Sequence, residues 1–198
     1  SAFKPFVYIR ALEEGFNPST LVLDAPYVID QGPGLPKWKP ANYTEEFYGL
    51  TTIRTGIEKS RNLMTIRLAN EIGIPKILQT AKEFGIDEFL DDNMSMSLGS
   101  GLVKLIDITN AYGIIANGGK KIQPNFIQSI YDRKGKLVFK SSNRSCDDCL
   151  IENFDKKSNI PKILDTEELV IDSRIAYQVT SMMEGVVQRG TAIKLKDL

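Results

Sequence analysis

The chain has 198 residues, with 25 Lys and Arg against 25 Asp and Glu, no His and two Cys. Its length supports one domain with a real core, or a large piece of a bigger one. Balanced charge without a basic stripe argues against nucleic acid as a partner, and no apolar run approaches the ~20 residues that span a bilayer.

In chain order, residues 1–14 read as a helix whose first turn carries Ser1 and Lys4. Pro5 is tolerated there because first-turn amides have no intrahelical acceptor, and Gly15 is a natural stop. Residues 16–50 are rich in Pro, Gly and aromatics and read as a long excursion with short extended pieces such as Leu21-Val22-Leu23. Thr51 or Thr52 then caps a helix with Ile53 and Ile57 on one face, ending near Lys59. Ser60-Arg61-Asn62 interrupts before a second helix with Leu63, Ile66, Ala69 and Ile72 inward. Pro75 opens the next helix, which runs to Phe84 and stops at Gly85.

Met94, Met96 and Leu98 alternate with Ser95 and Ser97, the pattern of a short half-buried extended segment. A helix follows over 104–117 and ends at Gly118-Gly119. Residues 126–131 and 137–140 flank Asp132-Arg133-Lys134-Gly135 as a β-hairpin, and 141–167 form a polar stretch read as a surface insertion. Asp172 or Ser173 caps a last helix with Ile175, Val179, Met182, Met183 and Val186 inward. The expectation is an α+β chain, a mainly helical body with a minor sheet component.

Cys146 and Cys149 form a lone C-x-x-C within the polar stretch. Zinc needs two more ligands than the pair supplies, so it fits a small local disulfide or two idle thiols, and no metal site is expected. No cofactor motif is present. The chain lacks an initiator Met and a signal peptide, so its ends read as cuts in a longer polypeptide.

Chemistry concentrates in two serine motifs. A serine hydrolase normally borrows a His as general base, and a chain without His needs another group. Lys4 stands at i+3 from Ser1, on the same helix face, and could take the hydroxyl proton once burial makes it partly neutral. Ser60 could pass that proton to a leaving amine, and Asn62 could hold both Lys4 and a substrate carbonyl. Taken singly such motifs are cheap: a chain of this length holds about one S-x-x-K and one S-x-N by chance. Ser141-Ser142-Asn143 is a second S-x-N in a stretch read as loop. On motif alone, Ser1 and Lys4 read equally well as a helix cap followed by a solvated Lys.

Longer segments decide between these. Ser1-Ala2-Phe3-Lys4-Pro5-Phe6 closely resembles the nucleophile segment of class A penicillin-binding proteins, the bifunctional enzymes of peptidoglycan assembly. So do Trp38-Lys39-Pro40-Ala41-Asn42-Tyr43, Gly49-Leu50-Thr51-Thr52-Ile53-Arg54 and Ser60-Arg61-Asn62. Leu98-Gly99-Ser100-Gly101, Ala111-Tyr112, Ala116-Asn117-Gly118-Gly119 and Val187-Gln188-Arg189-Gly190-Thr191-Ala192 continue the match in family order, with 141–167 the main part outside it.

The resemblance implies that residues 1–198 are part of a serine D,D-transpeptidase domain. Ser1 would be the nucleophile, Lys4 the base, Ser60 the relay and Asn62 the substrate-orienting amide. Stem peptides ending in D-Ala-D-Ala would be the substrate and β-lactams covalent inhibitors. A glycosyltransferase domain and membrane anchor would lie upstream, on the periplasmic side of a bacterial inner membrane. The sequence departs from the family in one respect: it contains no Lys-Thr-Gly, the strand that would hold the substrate carboxylate. The expected portion therefore lacks the C-terminal sheet strands, and alone it is expected to be inactive.

Three other readings remain at this level. An N-terminal-nucleophile hydrolase would use the Ser1 α-amine as base, within a four-layer αββα sandwich for which strand-like segments are too few. A non-catalytic domain of the same fold could sense peptidoglycan or β-lactams. A β-lactamase or carboxypeptidase would share Ser1, Lys4 and Ser60, but not the class A segments.

Overall fold

The first helix is the rod on which most of the other helices pack. The computed structural model describes residues 2–88, 90–141, 145–146, 163–164 and 167–196. Helix α1 spans Lys4–Glu13, and its buried residues, Lys4 to Ile9 with Ala11 and Leu12, leave little of it to solvent. A helix apolar on nearly every face belongs inside a domain. Phe6 anchors it, with ring centroids 5.4 Å from Phe3, 5.5 Å from Phe84 and 6.4 Å from Tyr112. The helix starts at Lys4 rather than at residue 1, as Ala2 and Phe3 form a turn. Pro5 accounts for this, since it has no N–H to bond back to the first carbonyl.

Strands β1 (Leu21–Asp24) and β2 (Gly49–Thr52) pair antiparallel, with Leu21 opposite Thr52 and Asp24 opposite Gly49. This pairing closes the long excursion, which is further folded by a bridge between Ile29 and Trp38. Thr52 caps α2 (Ile53–Glu58), its hydroxyl accepting from the Thr55 N–H at 3.3 Å. Helices α3 (Asn62–Ile72) and α4 (Ile74–Glu83) follow, and both pack on α1. α5 spans Leu105–Ala116, and α6 spans Ser173–Gln188 with Asp172 as its cap, accepting from the Arg174 N–H at 2.8 Å. The α6 stripe facing the core is Ala176, Val179, Met182 and Gly185, while Ile175, Met183 and Val186 lie half-buried on its flank.

The hairpin forms from β3 (Ser129–Tyr131) and β4 (Leu137–Lys140), its first strand shorter than predicted. Its turn is closed by Asp132, whose carboxylate accepts from the Lys134 N–H at 2.7 Å and the Lys136 N–H at 2.9 Å. A third pair, β5 (Ser145–Cys146) with β6 (Ile163–Leu164), lies within the polar stretch. The other residues of 142–166, including Cys149, lie outside the described residues, as do Ser142 and Asn143 of the second S-x-N.

One expectation fails. Met94–Leu98 is a 3-10 turn, not an extended segment. The alternation misleads because the local polar groups serve the backbone: the Asn93 carboxamide accepts from the Met96 N–H at 3.1 Å, and the Ser97 hydroxyl donates to the Met94 carbonyl at 2.7 Å. The architecture is otherwise the expected one: helices around α1, with three two-stranded sheets at the edges. Nothing among the described residues resembles an αββα sandwich, and no helix among them is long and apolar enough to cross a membrane.

Candidate active site

Four helices end in the same way. In α1, α4 and α5 the chain leaves through a left-handed residue whose N–H, with that of the next residue, bonds back onto the last turn. That residue is Gly15, Gly85 and Gly118, at φ of 95°, 83° and 69°. In α2 the same place is taken by Ser60 at φ 54°. Its N–H reaches the Ile57 carbonyl at 3.0 Å, and the Arg61 N–H reaches that of Gly56 at 2.8 Å. A side chain in this conformation costs about 1–2 kcal/mol relative to ordinary backbone. Ser60 therefore carries strain that the three glycines avoid, and its hydroxyl is what the position gains.

That hydroxyl meets Lys4. The Lys4 ammonium donates to the Ser60 carbonyl at 2.7 Å, to Ser60 Oγ at 3.1 Å and to Asn62 Oδ1 at 2.7 Å, which uses all three of its N–H bonds. Lys4 is 3% exposed, and none of these partners is a carboxylate. Burial pulls its pKa from 10.5 down to about 8. The solvated helix-cap lysine that the motif alone allowed is thereby overturned. Ser1 lies outside the described residues. Its neighbour Ala2 is held by the Tyr112 hydroxyl, which donates to the Ala2 carbonyl at 2.9 Å.

Lys4, Ser60 and Asn62 open into a cleft of about 400 Å³, walled also by Tyr43, Lys59 and Thr191. The side chain of Asn62, the first residue of α3, donates to the Ala41 carbonyl at 2.9 Å, leaving its second amide hydrogen for another acceptor. Thr191 reaches the rim because the end of α6 is clamped to the end of α2. Arg189 grips the buried Glu58 carboxylate with Nε at 2.9 Å and Nη2 at 2.6 Å, and the Thr191 N–H donates to the Glu58 carbonyl at 3.1 Å. Lys59 Nζ also donates to the Arg189 carbonyl. Glycine is required beneath this clamp: a Cβ at Gly185 would lie 2.1 Å from Glu58 Oε1, and one at Gly190 2.3 Å from the Glu58 carbonyl.

Sequence reasoning selected Lys4, Ser60 and Asn62, and the fold brings them together. It assigned no part to Asn42, Asp24 or Glu58. Asn42 is 4% exposed and Asp24 fully buried, and both sit under Asn62. Among the described residues no cluster of three or more Cys, Asp or Glu side chains could hold a metal. A buried, partly neutral amine beside a serine hydroxyl and a carboxamide can move protons without one.

The model of the penicillin binding protein transpeptidase domain matches residues 1–196. Penicillin-binding protein 1A of Rickettsia bellii is 46% identical over 199 residues, covering 100% of this chain and 25% of the relative. That of Pseudomonas aeruginosa is 31% identical over 232 residues, covering 100% of this chain and 28% of the relative. The chain thus spans about a quarter of the length of these relatives. Among solved structures, penicillin-binding protein 1A from Haemophilus influenzae superposes with a TM-score of 0.85 at 23% identity, over 100% of this chain and 32% of that one. The imipenem acyl-enzyme of penicillin-binding protein A from M. tuberculosis does so with a TM-score of 0.70 at 17% identity, over 95% and 43%.

Proposed function

This chain belongs to the penicillin-binding protein transpeptidase domain family, and from that premise we propose that its parent protein cross-links peptidoglycan by acyl transfer through Ser1. The observation that carries the reading is the buried Lys4 amine, set between Ser60 Oγ and Asn62 Oδ1 and three residues after Ser1 in sequence.

Ser1 Oγ attacks the carbonyl between the two D-Ala residues of a stem peptide, and its proton passes to the neutral Lys4 amine. The carbon–nitrogen bond breaks as Ser60 hands a proton to the departing D-Ala amine, with Lys4 resupplying Ser60. The acyl group, now an ester on Ser1, is taken by an amine of a neighbouring strand, and the protons run back along the same path. Asn62 holds Lys4 with its oxygen and offers its remaining amide hydrogen to the substrate backbone. β-Lactams acylate Ser1 in place of the peptide, as imipenem and penicillin G do in the M. tuberculosis acyl-enzymes that share this fold.

The parent also carries a glycosyltransferase domain and a membrane anchor upstream, and works on the periplasmic side of the inner membrane. Residues 1–198 supply part of its transpeptidase domain, with 141–167 as a surface insertion. The 198 residues contain no Lys-Thr-Gly to bind the substrate carboxylate, so produced alone they are expected to react poorly.

The test is labelling with a fluorescent penicillin. The full-length parent should form a covalent adduct that its Ser1→Ala version does not, and the 198-residue piece should stay unlabelled. Equal labelling of the parent and Ser1→Ala overturns the nucleophile assignment. Stem-peptide binding without turnover would favour a sensing domain instead.

A further inference from the structure

Resting on that reading of the site, we propose that Asn42 is a positioning residue: its carboxamide sets the start of α3 and thereby fixes the Asn62 that grips Lys4. Helix α3 does not cap itself, as Arg61 at its N-cap makes no side-chain hydrogen bond there. Asn42 does this from twenty residues away in sequence. Its Oδ1 accepts from the Asn62 N–H at 2.9 Å and the Leu63 N–H at 3.3 Å. Its Nδ2 donates to Asp24 Oδ1 at 2.8 Å and to the Glu46 carbonyl at 2.9 Å. Both donors and both acceptor lone pairs are therefore used, the full capacity of a carboxamide.

Only one orientation of that amide satisfies its surroundings. Reversal would press its oxygen on the Asp24 carboxylate and the Glu46 carbonyl, and its N–H bonds on two other N–H groups. Asp24, buried at the end of β1, is the group that sets the choice. Its other oxygen, Oδ2, has no hydrogen bond and lies 3.9 Å from Arg61 Nε, itself without one. The Arg61 guanidinium carbon lies over the Tyr48 ring, 3.4 Å from its centroid. The neighbouring residue completes the grip, since the Ala41 carbonyl accepts from Asn62 Nδ2 at 2.9 Å. One dipeptide thus fixes Asn62 by main chain and side chain together, which turns its Oδ1 to Lys4 at 2.7 Å.

The test uses the full-length parent, with Asn42→Ala and Asn42→Asp. Asn42→Asp keeps an acceptor for the two α3 amides but sets a second carboxylate against Asp24. Two readouts are taken: acylation by a fluorescent penicillin, split into limiting rate constant and half-saturating concentration, and hydrogen exchange of the Asn62 and Leu63 amides. In both variants the limiting rate constant should fall at least tenfold while half-saturation stays within threefold. In Asn42→Ala the two amides should also exchange at least tenfold faster, with α6 unchanged. Acylation within threefold of wild type in both variants overturns the proposal, as do unchanged amides in Asn42→Ala. Loss of cooperative unfolding in both also overturns it, in favour of a purely structural hub. Failure of the underlying reading looks different: wild-type labelling would survive Ser1→Ala, and the exchange measurement would still judge Asn42.

Discussion

Lys4 should give acylation a pH dependence that an ordinary lysine could not. Its pKa is drawn to about 8 by burial alone. At pH 7 about one amine in ten is then neutral, against about three in ten thousand for an unperturbed lysine, a gain of about 300-fold in competent base. The second-order rate constant for acylation by a fluorescent penicillin, measured on the full-length protein from pH 6 to 9.5, should rise along a limb centred near 8. A limb centred near 10 or above, or a rate that falls through pH 8, would refute the reasoning. The same burial has a thermodynamic signature. Between the folded value of about 8 and the unfolded 10.5, the unfolded chain binds more protons. Stability therefore rises with pH across that window, by up to about 3 kcal/mol. Tyr8 pulls the other way at higher pH, since its buried phenol is held well above the usual tyrosine range. The rise is best read below pH 10, against Lys4→Met, which lacks it.

Replacing Ser60 separates strain from chemistry. Ser60→Gly sheds a left-handed conformation costing about 1–2 kcal/mol and returns about 0.5–1 in chain entropy, so it should be more stable than Ser60→Ala, which keeps the strain and loses the same bond from Lys4. Calorimetry should place the transition of the glycine variant about 2–4 °C above that of the alanine variant, with both poorly acylated; equal melting would contradict the strain. Arg189→Ala leaves the Glu58 carboxylate buried without its bidentate partner and should cost about 2–3 kcal/mol, less than a fully buried pair because Arg189 is half exposed. Denaturant unfolding checks this, and Glu58→Gln added to it should recover part of the loss. Gly190→Ala, whose methyl would meet the Glu58 carbonyl and Val186 Cα at 2.3 and 2.6 Å, should lower stability by at least about 2 kcal/mol in the same assay.

What the sequence disclosed was local. Thr52, Asp172, Pro75, Gly15 and Gly85 act within a few residues of themselves, and helix boundaries followed from them, whereas Pro5, read as tolerated within residues 1–14, holds the start of α1 back to Lys4. The strand at Gly49–Thr52 went unread because its partner lies across a long loop. The Met94–Leu98 turn was misread because alternating Met and Ser imitates a pleat, while the deciding bonds come from Asn93 and Ser97. In the site, Lys4, Ser60 and Asn62 could be picked out because the longer segments around them resemble a known family, while the spacings alone arise by chance in a chain of this length. Asn42 and Glu58 could not. Each is a lone polar residue whose deciding partner, Asn62 for Asn42 and Arg189 for Glu58, sits far along the chain, and burial reveals it. A signal for Ser60 was available: it follows α2 where comparable helix ends carry glycine.

The helix bearing Lys4 is also the most deeply enclosed element among the described residues. On the role proposed for Lys4, foldedness and reactivity become one property, since any loosening of the interior displaces its amine. Covalent uptake of a β-lactam would then count intact molecules, and the fraction labelled through a denaturant series would trace the unfolding curve with no spectroscopic probe at all.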